Sequence, residues 1–140
     1  MTTLQSFNAR TSQAYGAALP ATTTAELNTA IDKAGEAFDD WQASDGASRA
    51  HLLTALAAAL EQDREKLVEL ADAETGLGLP RLNGELDRTA FQLRRFATIA
   101  QSDGAFAFTD DPAVAGSPPA GHPAMMRVRV PLGPVAMFSA

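Results

Sequence analysis

The segment that decides the fold is Val130-Pro-Leu-Gly-Pro-Val-Ala-Met-Phe-Ser-Ala140. Pro131, Gly133 and Pro134 predict a turn, and the apolar run that follows at 135–138 predicts a short strand. A run that is apolar on both faces is typical of a central strand in a covered sheet. Because such a strand needs neighbours and no later strand follows it, we expect the chain to be the front part of a longer protein.

An alternating segment precedes this turn. Met126, Val128 and Val130 fall on one side, and Arg127 and Arg129 fall on the other. This pattern predicts a half-exposed strand, so residues 125–140 hold one edge-type strand and one sheet strand. Residues 104–124 are rich in proline and glycine and predict a loop.

Residues 22–103 show helical periodicity and predict a layer of three helices. The first helix begins at the capping box Thr23-Thr-Ala-Glu26 and closes its apolar stripe at Trp41. The second runs from about 47 to 62, with a continuation to Glu74 that Asp63 can cap, and the third spans about 81–101. We expect one core in which three leucines of the second helix face residues of the other two: Leu53, Leu56 and Leu60 against Ile31, Phe38 and Leu93. Residues 1–21 are polar and predict either a loose extended arm or a frayed tail.

Several motifs, taken in chain order, resemble those of the aldehyde dehydrogenase family. They are Ala37-Phe-Asp-Asp-Trp41, Arg49-Ala-His-Leu-Leu53, Glu74-Thr-Gly76 and the turn Arg129-Val-Pro-Leu-Gly-Pro-Val135. The run from Glu85 to Ala97 and the wording "PLGPVAxFxA" are similar to one subgroup, the α-ketoglutaric semialdehyde (2,5-dioxovalerate) dehydrogenases. The resemblance covers about residues 22–140.

This resemblance implies an α/β aldehyde dehydrogenase-like fold, of which the chain is the N-terminal part. It implies a helical layer, an arm strand that pairs with a neighbouring subunit of a homo-oligomer, and the first strand of the cofactor-domain sheet. It also implies NAD or NADP as cofactor and an aldehyde substrate, a semialdehyde oxidised to a carboxylate. Phe138, Ser139 and Ala140 match residues that line the nicotinamide ribose in the family; an equally open interpretation is that they only complete a strand.

The 140 residues contain no cysteine. Since the resemblance implies a catalytic cysteine, we expect this chain alone to be inactive and assign it no catalytic residue. His51 and His122 lack acidic neighbours at ligand spacing, so we assign no metal site. We expect Glu74 and Glu85 to be structural, as a helix-end charge and as an intersegment ion pair.

The formal net charge of −6 argues against a nucleic-acid partner. The N-terminus shows no signal-peptide pattern and no apolar run approaches membrane-spanning length, so we expect a cytoplasmic protein without membrane contact. A rival hypothesis is a stand-alone helical interaction module, with its apolar stripes as a partner groove. The reading frame beyond Ala140 would distinguish the two hypotheses.

Overall fold

The structure is a computed structural model that describes residues 2–102 and 107–138. Its elements, in chain order, are β1 (Thr3–Phe7), β2 (Ala14–Pro20), α1 (Thr24–Trp41), α2 (Gly46–Gln62), α3 (Arg64–Thr75), α4 (Leu79–Gln101), β3 (Phe108–Asp111) and β4 (Met125–Val128). Among these residues, no helix combines the length and the apolar character that a membrane crossing requires.

The helices begin and end where local chemistry dictates. At α1, the Glu26 N–H donates to Thr23 Oγ1 at 3.2 Å and the Thr23 N–H donates to Glu26 Oε2 at 2.8 Å, which completes the expected capping box. Asp45 caps α2 by accepting from the Ser48 N–H at 2.7 Å. Gly76, in the left-handed conformation at φ 68°, ends α3. The chain bends at Asp63, so the predicted second helix and its continuation are two helices, and the layer has four helices where three were predicted.

The core lies between α2 and α4, and alanine dominates it. On α2, Ala50 and Ala57 are buried and Leu53 and Leu60 are half-buried; on α4, Ala90, Ala97 and Ala100 are buried and Leu93 is half-buried. Both sets follow the same three- and four-residue spacing, so each helix offers one face on which small and large side chains alternate. Small residues at such a contact let two helix backbones approach closely.

Two expectations about this core were wrong. Leu56 keeps 46% of its surface exposed, because it lies beside the buried stripe while Ala57 lies within it. Ile31 of α1 is 56% exposed and Trp41 is 44% exposed, so α1 does not close the core from the other side as its stripe predicted. No residue of α1 is buried.

Two antiparallel hairpins flank the helices, and both correct an expectation. Residues 1–21 were expected as a loose arm or a frayed tail, but β1 and β2 pair antiparallel with a register shift between Leu4 and Ser6. Residues 104–124 were expected as a loop, but β3 lies within them and pairs with β4, and Val114 and His122 form a further bridge. A half-exposed strand was expected at 125–130; β4 is that strand, but it ends at Val128 and all four of its residues are exposed.

Candidate functional site

The C-terminal segment contains the one described residue of the predicted cofactor site. Phe138 is 96% exposed, while Ser139 and Ala140 lie outside the described residues. The strand predicted at 135–138 is not formed within 2–102 and 107–138, where these residues have no ladder partner and belong to no helix or strand. A strand forms by pairing, and no described strand pairs with this segment.

The turn before this segment rests on α1. Gly133 has φ 86°, a left-handed conformation that favours glycine, and a Cβ built on it would lie 4.0 Å from Cε1 and Cζ of Phe38. Gly133 and Pro134 close one side of an open pocket of about 310 Å³, whose other walls are Ala34, Ala37, Phe38 and Trp41. The motif around Trp41 and the "PLGPV" turn, which are far apart in sequence, therefore line the same pocket.

A second, larger pocket lies on the other side of Trp41. It measures about 610 Å³, is widely open and lies between the end of α1 and the first turns of α2, where His51 and Ser48 are its polar members. No group of three or more His, Cys, Asp or Glu side chains arranged to hold a metal ion occurs in the part of the chain that the structure describes. The pocket walls are mostly apolar and do not bring together the paired polar side chains that acid–base catalysis requires.

The N-termini of α1 and α2 do not provide a cradle for a dinucleotide pyrophosphate. Such a cradle uses free N–H groups at a helix N-terminus behind a glycine-rich turn. At α1 the Thr23 N–H donates to the Glu26 carboxylate, and at α2 the Ser48 N–H donates to the Asp45 carboxylate. Hydrogen bonds from the Thr23 backbone and hydroxyl lower the pKa of Glu26, and those from Ser48 lower the pKa of Asp45, so both sites hold a fixed negative charge that repels phosphate. At the start of α4 the Gly78 N–H donates to Asp72 Oδ1 at 2.8 Å.

Two arginines of α4 are paired with carboxylates. Arg94 spans to α2 and donates to both oxygens of Glu61, at 2.7 and 2.5 Å, which lowers the pKa of the Glu61 carboxyl. Arg88 pairs with Glu85 three residues earlier on the same helix. Glu85 was expected in an intersegment ion pair; that expectation was wrong, and Glu61 has this role instead. Arg88 and Arg94 thus belong to a paired helix surface and do not form an anion site.

The ion pair between Arg10 and Asp72 was not predicted from the sequence. Arg10, in the loop between β1 and β2, donates from Nη1 to Asp72 Oδ2 at 2.9 Å and from Nη2 to Asp72 Oδ1 at 2.8 Å. Nothing in the local sequence marks either residue, since 62 positions separate them. The pairing ties the N-terminal hairpin to the end of α3, just before the "ETG" motif at 74–76.

Comparison with known proteins identifies the family of this chain. A model described as "Aldehyde dehydrogenase family" matches residues 2–140. The chain belongs to the aldehyde dehydrogenase family. The resemblance seen in the sequence is therefore confirmed, and the match reaches further towards the N-terminus than the motifs did.

The relatives agree with the subgroup that the motifs indicated. The chain is 38% identical over 116 residues to alpha-ketoglutaric semialdehyde dehydrogenase 2 of Azospirillum brasilense, covering 83% of this chain and 22% of that protein. It is 33% identical over 138 residues to alpha-ketoglutaric semialdehyde dehydrogenase of Acinetobacter baylyi, covering 99% of this chain and 26% of that one. The chain thus spans about a quarter of the length of the curated relatives it matches.

Solved structures show the same architecture. A putative aldehyde dehydrogenase from Burkholderia cenocepacia superposes with a TM-score of 0.71 at 28% identity, covering 82% of this chain and 23% of that chain. PnpE, solved in complex with nicotinamide adenine dinucleotide, superposes with a TM-score of 0.71 at 27% identity and the same two coverages. The expected aldehyde dehydrogenase-like fold, in its N-terminal part, is confirmed.

Proposed function

We propose that this chain is the N-terminal part of an NAD(P)-dependent aldehyde dehydrogenase that oxidises a semialdehyde, such as α-ketoglutaric semialdehyde, to a carboxylate. One observation carries the proposal. The family match extends over residues 2–140, and within the family the chain is 38% and 33% identical to two alpha-ketoglutaric semialdehyde dehydrogenases.

The proposed reaction needs chemical groups that this chain does not contain, so the chain must have a different role from the catalytic part of the protein. Oxidation of an aldehyde to a carboxylate needs a nucleophile for the carbonyl carbon, an acceptor for the hydride and a water for hydrolysis. The family's nucleophile is a cysteine, and none of the 140 residues is cysteine. The 140 residues also contain no glycine-rich dinucleotide fingerprint. The proposed role of this chain is therefore structural: it forms the helical layer and precedes the first strand of the cofactor-domain sheet.

Phe138, Ser139 and Ala140 are the residues proposed to line the cofactor, at its nicotinamide ribose. In open α/β sheets, ligands bind outside the carboxyl ends of the strands; Phe138 ends the run at 135–138, and Ser139 and Ala140 follow it. The nearly complete exposure of Phe138 supports the proposal, because its side chain is not committed to packing within the described residues. We extend the proposal to either NAD or NADP and to a cytoplasmic location.

The β3–β4 hairpin is proposed as the arm that meets a second subunit of a homo-oligomer. Phe108, Met126 and Val128 project from one face of this hairpin together with Asp110, and all are exposed. On the other face, which also carries Met125, Arg127 donates to both oxygens of Asp111, at 2.7 and 3.0 Å. A hairpin with one largely apolar face is suited to a subunit contact.

The test compares the native protein with the 140-residue chain. We expect the native protein to reduce NAD+ or NADP+ in the presence of α-ketoglutaric semialdehyde, followed by the absorbance of the reduced nicotinamide, and the 140-residue chain to give no signal above a blank. Succinic semialdehyde and benzaldehyde serve as comparison substrates for the semialdehyde class. Turnover by the 140 residues alone would overturn the structural role, and absence of turnover by the native protein with every aldehyde would favour the interaction-module hypothesis.

A further inference from the structure

We propose that the N-terminal hairpin (β1–β2, Thr3–Pro20) is a strap that the Arg10–Asp72 ion pair holds against the α3–α4 turn, and that opens locally without unfolding the helical layer. This inference concerns conformation and is independent of the proposed oxidation.

The loop of the hairpin is built to present Arg10. The Asn8 side chain accepts from the backbone N–H groups of Arg10 and Thr11, at 3.0 and 3.1 Å, and the Ser12 N–H donates to the Asn8 carbonyl at 2.8 Å. Ser12 completes the turn with φ 56°. An Asx turn of this kind fixes the loop backbone before any tertiary contact forms, so little further order is needed when Arg10 meets its partner.

The hydrogen bonds that join the hairpin to the helices converge on the end of α3. Besides its two bonds to the Asp72 carboxylate, Arg10 Nη1 donates to the Asp72 carbonyl at 3.2 Å, and the Ala9 N–H donates to the Ala73 carbonyl at 2.8 Å. A Cβ built on Gly76 would lie 3.6 Å from Ala9 Cβ and 3.9 Å from Arg10 Cγ, so the loop also packs on the glycine that ends α3. The fork-to-fork pairing of a guanidinium with a carboxylate is geometrically specific as well as charge-assisted.

Asp72 couples the strap to the turn that starts α4. Its Oδ1 accepts from Arg10 Nη2 and from the Gly78 N–H, both at 2.8 Å. One carboxylate oxygen therefore holds the hairpin and closes the 76–78 turn together. These bonds, first from Arg10 and then from Gly78, lower the pKa of Asp72.

The two sides of this contact differ in what else stabilises them. The helical layer has its own buried residues on α2, α3 and α4, whereas no residue of β1 or β2 is buried. A two-stranded hairpin without a covered face is marginal in water. Loss of the ion pair should therefore free the hairpin and leave the α2–α4 core intact, which is the behaviour of a separately opening unit.

Trypsin provides a direct test, because Arg10 is itself a cleavage site. The protease must take the Arg10 side chain into its own acidic pocket, so cleavage after Arg10 reports the opened strap. We expect Asp72→Asn in the native protein to raise the initial rate of this cleavage about three- to fivefold, while cleavage after Arg49, Arg64 and Arg94 keeps its wild-type rate. Mass spectrometry of the released peptides measures the rate of cleavage at each of these sites. The side-chain amide in this variant retains an oxygen that can accept from the Gly78 N–H, so the substitution removes the charge and spares the turn.

Two further variants separate the strap from a general loss of stability. Asp111→Asn removes a bidentate pair of the other hairpin, one that is more exposed than the Arg10–Asp72 pair, and should leave cleavage after Arg10 unchanged. Arg10→Lys keeps a trypsin site but replaces the fork by a point charge, and should give an intermediate rate once each rate is divided by that of a matched free peptide. A wild-type rate after Arg10 in Asp72→Asn would overturn the proposal, and so would a parallel rise at all sites, which would make Asp72 part of the global fold.

Discussion

The α1 helix and the α2–α4 pair carry apolar stripes of the same spacing, yet only the second set is buried. On α2 and α4 the stripe contains alanines that sit at the contact, and leucines flank them. On α1 the stripe contains Leu27 and Ile31, which are both more than half exposed, and Phe38, which is only half-buried. The difference teaches that periodicity identifies an apolar face and that only a complementary neighbour decides whether the face becomes core.

The sharpest way to break this comparison is to enlarge the contact between α2 and α4. Ala57 is 0% exposed, so Ala57→Leu must push the two helices apart or force strained rotamers, at a cost of about 1–3 kcal/mol in the free energy of unfolding. Leu56→Ala, one residue away and half exposed, should cost about 0.5 kcal/mol or less. Urea denaturation followed by circular dichroism measures both. The reverse order of the two costs would restore Leu56 to the core and refute the alanine contact.

The helices could be predicted from sequence because their determinants are local. The capping box at Thr23 and Glu26 acts over three residues and is found as expected. The Asp45 cap is equally local but was not predicted, and the expectation that Asp63 caps the helix after it was wrong, because Asp63 makes no side-chain cap hydrogen bond. The buried residues could be predicted less well. Leucine was chosen over alanine as the core residue, although close helix approach favours the smaller side chain.

The hairpins and the candidate site depended on partners that a local pattern does not reveal. β3 lies in a proline-rich segment and exists because β4 pairs with it, at Phe108 opposite Val128. The Arg10–Asp72 pair joins residues 62 positions apart, with no motif at either end. For the cofactor residues the sequence offered only a resemblance and a predicted strand end, and because the described residues form no strand at 135–138, their assignment stays a prediction.

The next comparison is between the two faces of the β3–β4 hairpin, with one lysine substitution on each. If the face with Met126 and Val128 meets a second subunit, Val128→Lys buries a charge there and should raise the dissociation constant of the assembly about tenfold or more. Met125→Lys adds the same charge to the opposite face, where Asp111 lies across the hairpin, and should leave the assembly unchanged. Light scattering over a range of concentrations gives the mass of each variant. Equal effects of the two lysines would move the contact away from this face.

The smallest expected effect is a loss of strap protection at low pH, which the helical core should not share. Arg10 and then Gly78 hydrogen-bond the Asp72 carboxylate and lower its pKa below the ordinary value of about 3.9. A group whose pKa is lower in the folded state stabilises that state above its unfolded pKa, and the contribution is lost as the pH falls through the folded value. Strap protection should therefore be constant above about pH 5 and decline below about pH 4.

Hydrogen exchange can follow this decline, with Asp72→Asn as the reference. The observable is the exchange of the peptide covering residues 2–13 in the wild type divided by that in the variant, since the intrinsic pH dependence of exchange cancels in the ratio. At neutral pH the wild type should exchange more slowly, and the ratio should approach one as Asp72 becomes protonated. The α2 peptides should show no such convergence, because the two carboxylates at α2 with a lowered pKa, Asp45 and Glu61, are the same in the wild type and in the variant. A ratio that stays constant down to about pH 3 would mean that the Asp72 charge does not hold the hairpin, and the contact would then rest on the Ala9–Ala73 backbone bond and on packing against Gly76.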